Sequence, residues 1–511
     1  MKKTLKHYLS SQKIRILLSI LATILAYGAL STSRAIRFDT DVFMYDPQSF
    51  AASWKELGRF GLVLLKKLLF LQSYHPVRSG ITFMVCILLA AFTIGLYLFR
   101  FCKEEKSYPY WIFFLLFGTS QIWAFQIYFI LQEGEIGFMC WLTALTAGML
   151  IKTYFENESM QSQILKSILG SVLLFWGIAT YQAFVYFYVT ICICFFLCIV
   201  YHADANQKYV PGILKLIGTF FVSLLAYFVT QKLFFSQREA YLAEQIRWGK
   251  VPFSENLAEI KYVISQTLKL RSASEFSIYP LTLLLFIGVV FVIIKCQKQM
   301  SASQKLWFLI ALCACMLTPF MANLIMGGLV VKRMQFCMQL AAAFLPFLGA
   351  VVLQPYWKKI EHLLLSVICV VFVIAQISIN YALYLDDEKR NAEDAYLAHV
   401  VADELKDMNY SDKPVIFLGI HRHDNVSEFL KCSDYGYSFF EWGNTVTPPD
   451  ASTPAAIRAM RAYEELSLVG TYSPYILAEA VATGLRMPVL PEKGSVYDAG
   501  EFIVVKLSEY Q

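Results

Sequence analysis

Eleven apolar runs, each about as long as a bilayer crossing, constrain this chain more than any other feature. A hydrocarbon core of about 30 Å needs roughly 20 apolar residues in a helix. Such runs lie at 14–32, 80–100, 110–131, 136–152, 166–181, 183–201, 210–233, 278–295, 305–322, 334–354 and 362–385. Backbone in lipid must satisfy its own hydrogen bonds, so runs of this kind become helices. With 57% hydrophobic and only 16% charged residues over 511 positions, the chain falls among multi-pass membrane proteins.

The stretch from Lys166 to Tyr201 is too long for one span and too short for two full ones. A tight reversal at Tyr181-Gln182-Ala183 is the favoured reading, and a single long tilted helix is the alternative. Basic residues support the reversal. The amino terminus (Lys2, Lys3, Lys6, Lys13, Arg15) has no acidic residue and is expected in the cytoplasm. Counting spans from there puts Arg100, Lys103, Lys106, Lys152, Lys166, Lys208, Lys295, Lys298, Lys305, Lys358 and Lys359 on that same side. The loops 33–79 and 234–277 and the carboxy-terminal tail then face outward. A cleaved signal peptide ending near Ser31 to Ala35 is disfavoured, because the first run is long and no small-x-small site stands out.

Most of the 12 cysteines fall inside apolar runs and read as small core residues, with Cys432 alone in the tail. The net charge of +6 belongs to orientation in the membrane. No basic stripe points to nucleic acid.

The chain is expected to be a mainly α polytopic membrane protein of about 11 transmembrane helices, residues 1–385, with a C-terminal α/β extracytoplasmic domain, 386–511. In the tail, helices are expected at 391–408, 453–466 and 473–483, with strands at Val415–Ile420, Tyr437–Trp442 and Phe502–Lys506. Residues 48–72 suit an amphipathic helix at the membrane surface, and Gln237–Ser277 a second such element.

Asp39-Thr40-Asp41, with Asp46 beyond, follows directly on the first run. Carboxylates beside lipid cost free energy unless a cation, a substrate or a reaction uses them. One reading makes them solvated loop and cap residues, with Asp46 before Pro47 starting a turn. The sharper one makes Asp39 or Asp41 a general base for a sugar hydroxyl attacking an anomeric carbon. The phosphate leaving group then needs fixed positive charge, for which Arg59 and, better, Lys332-Arg333 are candidates; their alternative is a snorkelling interfacial pair. Glu133 and Glu135 line the same cavity or cap helices. Gln182 binds sugar or joins helices. His421-Arg422-His423-Asp424 suggests a metal cluster, but loop histidines without a further spaced ligand are more often surface residues.

Asp39-Thr40-Asp41, Gly58-Arg59-Phe60, Tyr181-Gln182-Ala183 and Lys332-Arg333 together resemble the bacterial serotype-converting glucosyltransferase (Gtr type II) family. In the tail, Pro414–Gly419, Met487-Pro488 and Phe502–Lys506 add to the resemblance. It implies a GT-C architecture and an inverting glucosyltransferase of the cell membrane. The donor would be a polyprenyl-phosphate-linked sugar such as undecaprenyl phosphoglucose, and the acceptor a cell-surface glycan. Asp39 or Asp41 would be the base, Arg333 the phosphate holder, and Arg59 would position the amphipathic segment. The inserted Thr40 leaves open which aspartate acts and whether a divalent cation binds at Asp39 and Asp41; no other cofactor is indicated. A transporter or flippase of lipid-linked sugars is the alternative, and would place paired charges at mid-span.

Overall fold

Helices form along the apolar runs, with the first beginning well before its run and the last continuing well beyond it. The computed structural model describes all residues except 1, 157, 205–206, 236–244, 272–275, 424–436, 443–448 and 511. The helices are α1 (Lys2–Thr32), α2 (Thr40–Tyr45), α3 (Pro47–Glu56), α4 (Phe60–Leu68), α5 (Pro76–Phe101), α6 (Tyr110–Gly118) and α7 (Gln121–Ile127). They continue as α8 (Glu133–Phe155), α9 (Met160–Thr180), α10 (Phe184–His202), α11 (Val210–Phe234), α12 (Phe253–Thr267) and α13 (Tyr279–Phe291). Then come α14 (Ala302–Leu317), α15 (Met321–Met326), α16 (Cys337–Leu353), α17 (Lys359–Leu405), α18 (Thr453–Glu464) and α19 (Pro474–Gly484), with strands β1 (Val415–Leu418), β2 (Val496–Asp498) and β3 (Ile503–Lys506). Among the described residues, 11 helical stretches are long and apolar enough to cross a membrane.

Two units emerge: Met1–Thr32 with Gln48–Tyr381, and Ser33–Pro47 with Ala382–Gln511. The acidic loop therefore groups with the tail, where the sequence reading had placed it among the membrane loops.

In the first unit α16 is almost wholly buried, whereas α1 and α11 expose Leu17, Leu25, Leu214, Phe221 and Leu225 in rows that suit lipid. The third span breaks between α6 and α7. Thr119 and Ser120 interrupt it, and the last span answers the freed polar groups: Asn380 Nδ2 donates to the Thr119 carbonyl (3.1 Å), and Thr119 Oγ1 donates to Gln376 Oε1 (2.8 Å). At Tyr181-Gln182-Ala183 the chain does reverse. Tyr154, at the end of α8, meets Ser167 near the start of α9, and the adjacent Phe155 meets Phe196 near the end of α10, so α10 returns along the length of α9.

The amphipathic segment 48–72 is two helices, α3 and α4, where one was expected. Gly58 divides them at φ 73°, a left-handed turn that a side chain resists. The second expected element holds α12, whose buried Asn256, Ile260, Val263 and Thr267 mark one helical face; residues 236–244 and 272–275 of that stretch lie outside the described residues.

The second unit is a three-layer α/β/α fold. Its sheet runs β1-β3-β2, with β1 parallel and β2 antiparallel to β3. Side chains alternate across it. Val415, Phe417, Ile503 and Val505 pack on Leu397, Val401 and Leu405 of α17 and Ala456 and Met460 of α18, while Ile416, Leu418 and Val504 pack on Ala480 of α19.

Two expectations for the tail fail. Tyr437–Trp442 forms turns, and the third strand is β2, too short to stand out by alternation. The expected interruption near Asp386 is also missing, because α17 runs on through Asp386-Asp387-Glu388-Lys389-Arg390. Asp387, Arg390 and Asp394 sit at i, i+3 and i+7, so Arg390 pairs along one face with both carboxylates (3.0 and 2.8 Å) and the polar stretch continues the helix.

Candidate functional site

In the second unit the acidic loop is held from both flanks. Arg37, 1% exposed, donates to Asp387 (2.9 and 2.7 Å), and Arg390 donates to the Ile36 carbonyl (2.8 Å). Downstream, α2 lies against α18 through two arginines one turn apart. Arg458 stacks on Phe38 (4.0 Å) and Arg461 on Tyr45 (4.2 Å).

Between these anchors the two aspartates part company. Asp41 is 4% exposed at its side chain and takes a bidentate grip from Arg458, Nε to Oδ2 and Nη2 to Oδ1, both 2.6 Å. Asp39 is 45% exposed and lies 3.4 Å from the same guanidinium. Its backbone adopts φ 70°, a left-handed conformation that aspartate tolerates better than most side chains but that still costs free energy. Burial opposes the charge of Arg458, yet Asp41 and then Asp39 outweigh it and raise its pKa. The guanidinium thus sits where a divalent cation would bridge the pair, and this geometry does not favour a metal ion at Asp39 and Asp41. Asp46 is exposed and closes α2, its N–H bonded to the Val42 carbonyl (2.8 Å), so it ends one helix and leaves the next to begin at Pro47.

In the first unit the remaining candidates gather around the turn 128–132 between α7 and α8. Arg59 follows Gly58. Its guanidinium stacks on Tyr181 (4.8 Å) and reaches Gln132 Oε1 (3.5 Å). Gln182 is the strut of that corner: its Nε2 donates to the Leu57 carbonyl (3.0 Å) and to Tyr227 Oη (2.9 Å). A Cβ on Gly58 would lie 2.4 Å from that same Tyr227 oxygen, so glycine is required for space as well as for φ.

Arg333 belongs to a 3-10 turn, Lys332–Gln335, that opens the tenth span. It stacks on Phe129 (4.5 Å), and its carbonyl accepts from Gln126. Lys332 precedes it in the turn and is half-buried. Arg59 and Arg333 therefore bear on residues three apart in one short turn. Phe336 stacks with Tyr181 (6.1 Å) and joins the two sides.

Glu133 is buried at the first turn of α8. Glu135, two residues further in, pairs with Lys66 (3.0 Å, 0% and 6% exposed), whose ammonium also sits over Trp54 (5.0 Å). Gln132 Nε2, Glu135 Oε2, Gln335 Oε1 and both amide atoms of Gln339 are buried without a hydrogen-bond partner among the described residues. Buried polar groups are rarely left so, and a cluster of them marks a place built for a polar ligand.

The opposite ends of α5, α8 and α10 enclose a cavity of about 660 Å3 that includes His7, Arg100, Lys103, Glu104, Glu156 and His202. Arg100 pairs there with Glu104 and Glu156, and His7 with Glu104, so the charges answer one another.

The family described as Glucosyl transferase GtrII matches residues 28–349, well over half of the 511. The chain belongs to the GtrII glucosyl transferase family. Asp39, Asp41, Asp46, Arg59, Glu133, Gln182, Lys332 and Arg333 all lie within the GtrII match, and glycosyl transfer is the chemistry of the family. The tail motifs lie beyond it, as does Arg458, the partner of the acidic pair. Among solved structures, the chain is similar to the archaeal oligosaccharyltransferase AglB from Archaeoglobus fulgidus, in complex with an inhibitory peptide and a dolichol-phosphate. That alignment covers 77% of this chain and 58% of the other, at 11% identity and TM-score 0.36, so the chain spans less than two thirds of that protein. No curated protein matches the chain significantly.

Sequence reasoning missed Arg458 and Lys66. Arg458 lies 417 residues from Asp41 on an unremarkable amphipathic helix, and no local pattern marks it. Lys66 stood among ordinary interfacial lysines, and only its burial against Glu135 sets it apart.

Proposed function

We propose that this GtrII member transfers glucose from a polyprenyl-phosphate carrier to a hydroxyl of a cell-surface glycan, with inversion, on the outer face of the cell membrane. The observation that carries the proposal is the unequal pair in Asp39-Thr40-Asp41. A general base needs an accessible carboxylate, and Asp39 is the half-exposed member. Asp41, both oxygens engaged by Arg458, positions the loop.

Asp39 takes the proton of the acceptor hydroxyl as its oxygen bonds to the anomeric carbon. The bond from that carbon to the phosphate oxygen breaks, and polyprenyl phosphate leaves with the electron pair. Attack opposite the leaving group inverts the centre. Arg59 and Arg333 hold the phosphate, each steadied against an aromatic face so that less side-chain freedom is lost on binding. Glu133, Gln132 and Gln335 line the sugar path, and Gln182 keeps the Arg59 corner in place.

The basic loops favour a cytoplasmic amino terminus, and an odd number of crossings, as the eleven apolar helices among the described residues would make, supports an outer second unit with Asp39. A flippase would keep its charge pair at mid-span; Lys66 and Glu135 meet at the first turn of α8. Reconstituted protein given polyprenyl phosphate [14C]glucose and cell-surface polysaccharide is expected to move label into the polysaccharide. Labelled lipid that crosses the bilayer without entering any glycan would overturn the proposal in favour of transport.

A further inference from the structure

Outside the acidic loop, the second unit holds a cluster that glycosyl transfer leaves unused. His421 and His423 follow β1, and Glu393 comes from the polar continuation of α17, 28 residues earlier than His421. Glu393 Oε1 lies 2.8 Å from His421 Nε2, and its Oε2 touches His423 Nδ1. One ligand atom from each of the three residues lies within 4.8 Å of the others. His421 is partly exposed and His423 is 1% exposed, so the cluster has a closed side and an open one.

Two further details separate this cluster from a chance surface group. The buried His423 Nδ1 faces Glu393 Oε2, so the imidazole and the carboxylate turn their ligand atoms toward one another. Its other nitrogen, Nε2, lies 3.4 Å from Asp394 Oδ1, and Asp394 is itself held by Arg390 (2.8 Å) and Ser438. An imidazole whose far nitrogen is oriented by a carboxylate is the usual arrangement of a metal-bound histidine. Among the described residues, Asp394 pairs with Arg390, Arg390 with Asp387, and Asp387 with Arg37.

We propose that Glu393, His421 and His423 form a binding site for a divalent transition-metal ion, with zinc the best fit. Two imidazoles and one carboxylate suit zinc far better than magnesium or calcium, which prefer all-oxygen cages. Three protein ligands leave a fourth position on the open side for water or a substrate oxygen. The ion crosslinks α17 to the segment after β1. Through Asp394, Arg390, Asp387 and Arg37 it is continuous with the buried network that anchors the loop of Asp39.

The competing occupant is a proton. The buried carboxylate of Asp394 and the partly exposed one of Glu393 around an imidazole would hold an imidazolium, and metal analysis tells the two apart. Full-length protein purified in detergent, stripped with a chelator and re-equilibrated with zinc is expected to retain one zinc per chain by elemental mass spectrometry. Glu393→Gln and His423→Ala are expected to lower retention at least tenfold. His421→Gln, at the more exposed ligand, does the same in a protein whose elution profile is unchanged. Cobalt is expected to give the visible absorption of a four-coordinate ion in the wild type and to lose it in His421→Gln. A wild-type chain that stays metal-free after zinc equilibration would overturn the proposal, as would zinc retention undiminished in all three variants. Both readouts are independent of glycosyl transfer.

Discussion

At Asp39 and Asp41 two carboxylates two residues apart meet different surroundings, and chemistry follows from the difference. Asp41 is buried in a bidentate pair; Asp39 is half-exposed on strained backbone. Arg458→Ala leaves Asp41 buried without its cation, a loss of about 3–5 kcal/mol where the site is dry. A drop in the melting temperature of the purified chain checks this. Lys66→Ala is expected to cost a similar amount through Glu135, whereas Lys66→Met combined with Glu135→Leu recovers most of it, because removing both charges leaves none stranded. Arg333→Ala is expected to lower transfer by about 100-fold with little effect on stability, since the residue is only half-buried. The acidic pair was legible in the sequence as charge beside lipid. Its partner was not, because Arg458 reaches Asp41 only through the packing of α18 on α2.

Among the elements, corners and caps decide more than helix lengths. Gly58 makes the corner between α3 and α4, and Gly61 lets α4 approach α9 so closely that a Cβ would stand 2.8 Å from the Ala179 backbone. Gly58→Ala meets both a positive φ and the Tyr227 hydroxyl, so a cost above about 1 kcal/mol is expected, together with weaker donor binding through the displaced Arg59. Thermal stability and the KM for the lipid donor check the two effects separately.

The loop from α8 to α9 carries a pH response. Burial would raise the pKa of Glu158, but hydrogen bonds from Lys152 (2.6 Å) and Lys166 outweigh it and bring it from 4.5 down to about 2. A carboxylate lowered by folding contributes stability that is complete above pH 4.5 and lost as pH falls through about 2. Unfolding scans across that window are expected to show a shallower acid dependence in Glu158→Gln.

For the whole molecule, hydropathy carried most of the information. Runs of about 20 apolar residues have one structural outcome in lipid, so most spans were legible to within a few residues, the start of the first and the end of the last excepted, and so was the reversal at Tyr181-Gln182-Ala183. The tail was harder, because short strands buried on both faces do not alternate and β2 has only three residues. Nor could composition show that Ser33–Pro47 joins the tail or that α17 continues past Asp386, since both depend on the Arg37, Asp387 and Arg390 network. Orientation is checked by labelling Tyr472→Cys, a position 94% exposed in the second unit, with a membrane-impermeant maleimide on intact cells. Modification is expected there and is not expected at Lys103→Cys.

The central claim is that Asp39 is the base of a glucosyl transfer. Initial rates of label transfer by reconstituted Asp39→Asn, measured beside wild type at saturating lipid donor, address it most directly. A kcat lower by at least about 100-fold, with an unchanged melting temperature, is the predicted result. Folded Asp39→Asn that transfers glucose at the wild-type rate would contradict it.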